Sequence, residues 1–295
     1  MSGAKLPEAE GLIFEQLNDD SGYFYRGGQL IEQGHSEFQS YEVWDSPQFG
    51  RLFRLDGCFM TSERDEFYYH ENIIHVPAIT HPAPRSALII GGGDGGSADE
   101  LFKHPTMERV VLAELDEKVI DIARHHLQSV HNGALDDPRL EIRIGDGLRY
   151  VMEDGPAAGD TYDLIVLDLT DPVGPAEALY AEDFLRGCAA MLTPGGALSL
   201  HIGAPVFQPA RVRDLVARLR HVFAVVRPYF LYIPLYGSLW GLATASATLD
   251  PLALDADEVD RRIAERGIGQ LQHYNGEVHR AQFALPNHLR KLLGG

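Results

Sequence analysis

The sequence is poor in several features that define whole classes of protein. It has two cysteines in 295 residues, Cys58 and Cys188, which excludes a disulfide scaffold and indicates reduced thiols. No apolar run approaches the roughly 18 residues of a membrane-spanning helix. The N-terminus, MSGAKLPEAE, lacks the apolar stretch of a secretory signal. We therefore expect a cytoplasmic protein that makes no contact with a membrane.

Basic residues are also scarce. Lys and Arg number 25 against 43 Asp and Glu, which gives a formal net charge of −18. Most of this surface would repel the phosphates of a nucleic acid and would attract a cationic small molecule. Acidity of this kind also serves solubility alone. Hydrophobic residues at 45% and charged residues at 23% exclude a disordered chain.

The hydrophobic pattern divides the chain into two unequal parts. About the first 60 residues have the strand-forming runs and turn signals of a small β-domain. Tyr69, Ile73 and Val76 then recur at helical spacing, and Pro77 together with the HPAP stretch is expected to end that helix. We place an N-terminal β-domain with the start of a linking helix in residues 1–76, and a catalytic domain in residues 77–295.

From about residue 85 onward, short apolar strands alternate with helical segments. The strands are expected at 87–90, 110–115, 140–144, 164–167 and 197–200, with later ones near 230–233 and 239–243. This alternation predicts an α/β fold with a mostly parallel, doubly wound sheet. Ligands of such sheets bind outside the carboxyl ends of the strands, so the residues that follow each strand are the candidates for function.

The first of these strands leads into a glycine loop, GGGDGG. Gly91, Gly93 and Gly96 match G-x-G-x-x-G between a strand and a helix, where glycines let the backbone approach a ligand closely. Asp94 lies inside the loop, where its carboxylate would repel a pyrophosphate and attract a cation. The loop therefore favours a nucleoside with an ammonium and a sulfonium, an S-adenosyl compound, over a dinucleotide.

The next two strand ends also suit a nucleoside. Glu114 ends the second strand, where an acid can accept hydrogen bonds from both ribose hydroxyls, and Asp116 is a rival for that role. Asp146 and Gly147 follow the third strand, and the Asp146 carboxylate could accept from an adenine amino group. A turn aspartate is the plain alternative for Asp146.

The fourth strand end carries two carboxylates, Asp168 and Asp171, in a turn stiffened by Pro172 and Pro175. Such a pair can hold cationic amines, and one carboxylate can accept the proton of an attacking amine. Two capping aspartates are the structural alternative. With Asp94 on a neighbouring loop, three acids are expected at one mouth, which a purely structural role does not explain.

The sequence predicts no metal site, although it contains thirteen histidines. His70 and His75 come closest to a zinc-protease helix motif, but their spacing is one residue too long. Residues five apart on a helix point about 140° away from each other, so they do not share a ligand.

These motifs together resemble the polyamine aminopropyltransferases, chiefly the bacterial spermidine synthases. The resemblance covers nearly the whole chain, and its longest motif is DLTDPVGPAE at 168–177. Further matching stretches are RLFRLDG at 51–57, ERDEF at 63–67, YHE at 69–71, HP at 81–82, ELD at 114–116, DDPR at 136–139, GDG at 145–147 and FALP at 283–286.

The resemblance implies a Rossmann-like methyltransferase fold with a small N-terminal β-domain, and a transferase of polyamine biosynthesis. It implies decarboxylated S-adenosylmethionine as co-substrate, no prosthetic group, and a polyamine and 5′-methylthioadenosine as products. Asp168 matches the family's proton acceptor, and Asp171, Tyr69 and Tyr236 match groups that position the acceptor amine. The matches to donor-site positions are Gln39, His70, Asp94, Glu114, Asp146, Gly147 and Pro175. A homodimer or homotetramer is the family's usual state.

Three departures from the family pattern bear on the choice of acceptor. Met60 and His201 stand where glutamine is common, and Leu235 stands where threonine is common. Putrescine is the expected acceptor, with cadaverine, agmatine, diaminopropane and spermidine as alternatives. A methyltransferase that uses intact S-adenosylmethionine is the nearest rival function, but it leaves the three acids at the mouth unexplained.

Overall fold

The N-terminal part of the chain consists of β-hairpins. The structure is a computed structural model that describes residues 11–171, 174–269 and 271–294. Strands β1 (Ile13–Asn18) and β2 (Ser21–Tyr25) form a two-stranded sheet. A four-stranded antiparallel sheet follows in sequence order, made of β3 (Gln29–His35), β4 (Ser40–Ser46), β5 (Gly50–Leu55) and β6 (Cys58–Ser62). The small N-terminal β-domain is thereby confirmed.

Helix α1 (Glu66–Thr80) links this part to the rest of the chain. The HPAP stretch ends the helix as expected, but the expectation that Pro77 also ends it was wrong, because Pro77 lies inside the helix. Proline has no N–H to donate to the carbonyl of Ile73, four residues earlier. The hydroxyl of Ser199 donates to that carbonyl at 2.7 Å instead, so the freed acceptor is satisfied and the helix continues.

A seven-stranded sheet forms the centre of the larger part. Its strands are β7 (Ser86–Gly91), β8 (Arg109–Glu114), β9 (Leu140–Ile144), β10 (Tyr162–Asp168), β11 (Leu192–Gly203), β12 (Val225–Ile233) and β13 (Ser238–Ser246). Their spatial order is β12-β13-β11-β10-β7-β8-β9, and only β13 runs antiparallel to its neighbours. The predicted α/β class with a mostly parallel, doubly wound sheet is confirmed.

Helices cover both faces of this sheet. They are α2 (Gly96–Phe102), α3 (Glu117–His126), α4 (Gln128–His131), α5 (Gly147–Arg149), α6 (Gly155–Ala158), α7 (Glu182–Met191), α8 (Pro209–Val222), α9 (Ala256–Glu265), α10 (Gly276–Ala281) and α11 (Asn287–Leu292). Successive residues of central strand β7 point to opposite faces: Ala87 and Ile89 join a core with α1 and α2, while Leu88 and Ile90 join one with α7 and α8. No helix in the described part of the chain is long and apolar enough to cross a membrane.

The C-terminal segment is fastened to helix α1 through one buried carboxylate. Glu71 is 1% exposed, and its two oxygens accept the backbone N–H groups of Gln272, His273 and Tyr274 at 2.6–2.8 Å. Three donors on one carboxylate satisfy a charge that burial would otherwise make costly. This contact fixes α1, and with it the side chains that α1 brings to the site.

Candidate active site

The sheet topology brings four strand ends to one edge. Strands β10 and β7 are parallel neighbours, with Asp168 beside Gly91, and β8 and β9 end side by side at Glu114 and Ile144. The turn between β12 and β13 lies at the same edge and carries Tyr236. The expectation that the candidate residues collect at the carboxyl ends of the strands is therefore met by the fold.

The glycine loop lies tightly against two other candidate residues. The Gly92 N–H donates to the backbone carbonyl of Asp168 at 2.9 Å, and Gly92 has φ +67°. A Cβ at Gly92 would lie 3.0 Å from the Asp168 carboxylate, and a Cβ at Gly96 would collide with the imidazole ring of His70. Close packing inside the site thus requires glycine at both positions, and the positive φ adds a second reason at Gly92.

His70 lies between two acids. Its Nδ1 is 2.7 Å from Glu66 Oε2, and its Nε2 is 3.6 Å from Asp94 Oδ2. Burial opposes the imidazolium, but the Asp94 and Glu66 carboxylates raise the pKa of His70 well above its ordinary value. Burial also opposes ionised Asp94, but the His70 cation and the Gly96 N–H, at 3.0 Å, lower its pKa. His70 and Asp94 therefore form an ion pair at neutral pH.

The ligand atoms of His70, Asp94 and Asp168 all lie within 4.8 Å of one another. A cluster of this size could hold a metal ion, but a metal requires a neutral imidazole. The raised pKa keeps His70 protonated, so a metal would first have to displace its proton. The charges of the cluster suit an organic cation better than a metal.

Asp168 has the properties of a proton acceptor. Ser97 Oγ donates to its Oδ2 at 2.7 Å. Burial, and then the nearby Asp94 charge, raise the pKa of Asp168, while His70, Ser97 and Tyr69 oppose part of that rise. A carboxylate with a raised pKa accepts a proton more readily at neutral pH.

The structure distinguishes Glu114 from Asp116, the two candidate acceptors of the ribose hydroxyls. Glu114 is 8% exposed at the edge of the glycine loop, and it accepts the N–H groups of Gly93 at 3.2 Å and Asp116 at 2.9 Å. Burial raises the pKa of Glu114 from 4.5 to about 7. Asp116 instead caps helix α3 through the Lys118 N–H and accepts the side chains of Ser36 and Gln39. The geometry favours Glu114, because each of its oxygens accepts only one N–H group, whereas Asp116 already accepts three donors.

The remaining donor-site candidates lie around this centre. Gln39 reaches it from the N-terminal domain through its hydrogen bond to Asp116 at 3.0 Å. Asp146 is exposed and caps α5 by accepting the Leu148 N–H at 2.8 Å. Gly147 is buried, and a Cβ there would lie 2.6 Å from Ile90. Pro175 belongs to the 3-10 turn Gly174–Tyr180, but its side chain lies outside the described part, as does the whole of Pro172.

Two tyrosines line the other side of Asp168. The rings of Tyr69 and Tyr236 are 6.2 Å apart, and the ring of Trp240 lies 4.7 Å from that of Tyr236. The Tyr236 hydroxyl donates to the Met60 carbonyl at 2.8 Å. Burial and the Asp168 charge raise the pKa of both tyrosines well above the ordinary value, so both hydroxyls remain protonated donors.

Asp171 is engaged by residues that the sequence did not suggest. Its Oδ2 is 2.6 Å from Arg211 Nη1 and accepts Gln208 Nε2 at 3.1 Å. Burial opposes its charge, but Arg211 lowers the pKa of Asp171 below its ordinary value. Asp171 is thus ionised and already paired with a cation.

Sequence reasoning also missed Glu66 and Ser97. Glu66 is four residues before His70 on helix α1, a spacing that places the two on one face and could have revealed the pair. Ser97 directly follows the glycine loop, at a position that faces the end of the neighbouring strand. No comparable signal marks Arg211, which is separated by 40 positions from Asp171 and meets it only in the fold.

Comparisons with known proteins identify the family of the chain. The family model described as the spermine/spermidine synthase domain matches residues 66–252. The polyamine aminopropyltransferase of Nitrosomonas europaea is 51% identical over 285 residues, which cover 97% of this chain and 86% of that protein. Polyamine aminopropyltransferase 2 of Hyperthermus butylicus is 39% identical over 267 residues, which cover 90% of this chain and 86% of that protein.

Solved structures give the same result. A crystal structure of a spermidine synthase in complex with the transition state analogue AdoDATO has a TM-score of 0.89 and 35% identity, covering 98% of this chain and 97% of that one. The crystal structure of the spermidine synthase of Thermotoga maritima has a TM-score of 0.85 and 34% identity. The match covers 98% of this chain and 96% of that one. The chain therefore belongs to the spermine/spermidine synthase family and is an enzyme of the polyamine aminopropyltransferase type.

Proposed function

We propose that this enzyme transfers the aminopropyl group of decarboxylated S-adenosylmethionine to putrescine, giving spermidine and 5′-methylthioadenosine. The observation that carries the proposal is the cluster of His70, Asp94 and Asp168 at the carboxyl edge of the sheet, with Glu114 beside it. This cluster combines a site for a nucleoside, a site for an ammonium and a proton acceptor.

The donor is assigned by the two acids around the glycine loop. Glu114 accepts the ribose hydroxyls, and Asp94 attracts the ammonium of the aminopropyl group. The 3.6 Å separation between Asp94 Oδ2 and His70 exceeds a hydrogen bond, so this oxygen retains the capacity to accept one from an ammonium. Intact S-adenosylmethionine carries a carboxylate next to its amine, which would meet Asp94 unfavourably. The site therefore discriminates against the intact compound.

The reaction needs a neutral amine, whereas alkyl amines are mostly protonated at neutral pH. Asp168 holds the ammonium and accepts its proton, which its raised pKa favours. The amine nitrogen then forms a bond to the aminopropyl carbon as the bond from that carbon to sulfur breaks. The electron pair goes to sulfur, which leaves as a neutral thioether, so no acid is required at the leaving group. Alignment of the two reactants supplies much of the rate.

Putrescine is supported by the acceptor side of the site. Tyr69, Tyr236 and Trp240 offer aromatic surface to a short alkyl chain, and the oxygen of the protonated Tyr69 hydroxyl can accept an N–H of the attacking nitrogen and so orient it. Leu235 is 1% exposed and adds no polar group to this wall. A chain with amines only at its two ends fits such a surface.

We also propose that the enzyme works in the cytoplasm, apart from membranes and nucleic acids, as a homodimer or homotetramer. The net charge of −18 supports the exclusion of nucleic acids. An oligomer is supported by large apolar side chains that the N-terminal strands expose, namely Phe14, Phe24, Leu30 and Ile31. Sedimentation velocity tests the oligomer, and a single species with the mass of one chain would contradict it.

The acceptor is tested by giving the purified enzyme decarboxylated S-adenosylmethionine and each candidate amine in turn. We expect the highest kcat/KM for methylthioadenosine release with putrescine, above cadaverine, agmatine, diaminopropane and spermidine. A higher value with another amine would replace putrescine as the acceptor. Comparable turnover of intact S-adenosylmethionine would contradict the assignment of the donor.

A further inference from the structure

A partly buried cation, Arg211, lies beside the acceptor side of the site. Arg211 is on helix α8, and its Nη1 is 2.6 Å from Asp171 Oδ2 and donates to Gln208 Oε1 at 3.1 Å. The side chains of Arg211 and Asp171 are 17% and 30% exposed, so this is not a solvated surface pair. Asp171 follows Asp168, the proton acceptor, by three residues. The charges of Arg211 and Asp171 both act on His201, whose ring stacks at 5.9 Å on that of Trp240 in the acceptor wall.

The position of Arg211 is costly for the fold. Its Nε and Nη2 are buried and have no hydrogen-bond partner among the residues that the structure describes. Buried donors without partners destabilise a protein, and a guanidinium does so more than a neutral group. Gly203, with φ +93°, makes room for it, since a Cβ there would lie 3.3 Å from the guanidinium. A well-placed structural ion pair would not leave these two donors unused.

The groups around the pair add little charge of their own. His201 is buried and its Nε2 is 2.6 Å from the Tyr180 hydroxyl. Burial, and then the Arg211 charge, lower the pKa of His201 to about 4, so this ring is neutral at pH 7. Glu15 of strand β1 faces Asp171 from the N-terminal domain, and burial raises its pKa to about 7. Asp171 is therefore the ionised acid that Arg211 contacts, and the two charges offset each other.

We propose that Arg211 limits the positive charge that an acceptor can bring into the pocket, so that the enzyme selects diamines over triamines. The inference rests on the proposed function and deepens it. An ammonium that approaches Asp171 meets the like charge of Arg211, and each further ammonium on the acceptor increases that repulsion. A neutral side chain at 211 frees Asp171 to hold an additional ammonium.

The test compares kcat/KM for spermidine and for putrescine, at saturating decarboxylated S-adenosylmethionine. We expect the ratio of spermidine to putrescine to rise by about tenfold or more in Arg211→Gln and to stay near the wild-type value in Arg211→Lys, which keeps the charge. Arg213→Gln is the matched control, because Arg213 is on the same helix but 56% exposed and paired with Asp214. The spermidine-to-putrescine ratio of Arg213→Gln should equal that of the wild type.

A merely structural role would lower both values of kcat/KM together and leave their ratio unchanged, and that result would overturn the inference. If Arg211→Gln does not fold, Asp171→Asn tests the same charge effect by removing the negative partner instead of the positive one. It leaves the Arg211 charge uncompensated, so the ratio should fall, and an unchanged or higher ratio would overturn the inference. A wild-type enzyme that releases no methylthioadenosine with any amine would instead overturn the proposed function.

Discussion

The buried acid that we assign to the ribose should cost the free enzyme stability. Glu114 is 8% exposed, and burial raises its pKa from 4.5 to about 7, with smaller contributions from the charges of Asp116 and Asp94. The N–H groups of Gly93 and Asp116 offset part of this rise. Each pKa unit corresponds to about 1.4 kcal/mol, so the ionised group costs the folded state about 3 kcal/mol.

The sign of the pH dependence follows from the direction of the shift. An acid whose pKa is higher in the folded state binds more protons there than in the unfolded state, so stability falls as pH rises. The cost is absent well below pH 4.5, grows between pH 4.5 and 7 and is complete above pH 7. Between pH 5 and pH 8 it should lower the free energy of unfolding by about 2–3 kcal/mol.

Glu114→Gln isolates this effect. The amide removes the titration but also loses one acceptor for a backbone N–H, at a cost of about 1–3 kcal/mol that does not depend on pH. We therefore expect the difference in free energy of unfolding between the wild type and Glu114→Gln to change by about 2–3 kcal/mol between pH 5 and pH 8, in favour of the variant.

Urea unfolding at several pH values, followed by circular dichroism, measures this difference directly. Other titrating groups are common to both proteins and cancel. Glu37→Gln makes the same chemical change at an exposed position and should track the wild type. A difference between wild type and Glu114→Gln that is constant from pH 5 to pH 8 would refute the reasoning.

Calorimetry should also show weaker binding of methylthioadenosine to Glu114→Gln, because a charged acceptor is lost.

Three further substitutions test other parts of the molecule. Asp168→Asn should lower kcat by about 10²–10⁴-fold while calorimetry shows intact donor binding, and near-normal kcat would exclude Asp168 as the base. Asp171→Ala should raise the KM for the acceptor at least about tenfold, because it leaves the Arg211 cation unpaired at that end, and an unchanged acceptor KM would contradict this. Glu71→Ala should lower the free energy of unfolding by about 3 kcal/mol, since three N–H groups lose their acceptor, and a urea midpoint like that of the wild type would contradict this.

The sequence predicted the strand ends, and with them where several candidate site residues lie, because these depend on local patterns. Short apolar runs before Gly91, Glu114 and Asp168 located the strands, and parallel pairing then required those ends to meet at one edge. The glycine loop was recognised from its spacing, although its packing against His70 was not. Local sequence patterns and sheet topology are therefore sufficient to predict the strands and the edge at which their ends meet.

Contacts between distant segments could not be predicted in this way. Pro77 continues helix α1 because the Ser199 hydroxyl, on another element, satisfies the Ile73 carbonyl. Arg211 neutralises Asp171 from helix α8, and no sequence pattern indicated that this helix lies beside Asp171. Both outcomes depend on which side chains the tertiary fold brings together, and no spacing along the chain encodes that information.

In the proposed reaction, the centre formed by Asp94 and Asp168 joins an aminopropyl group to an amine. Its most direct test mixes the enzyme with decarboxylated S-adenosylmethionine and putrescine and measures both products by mass spectrometry in a single turnover. We expect spermidine and methylthioadenosine in equal amounts from the wild type, and far slower formation of both from Asp168→Asn. Methylthioadenosine without spermidine, or equal rates in the two proteins, would contradict the claim.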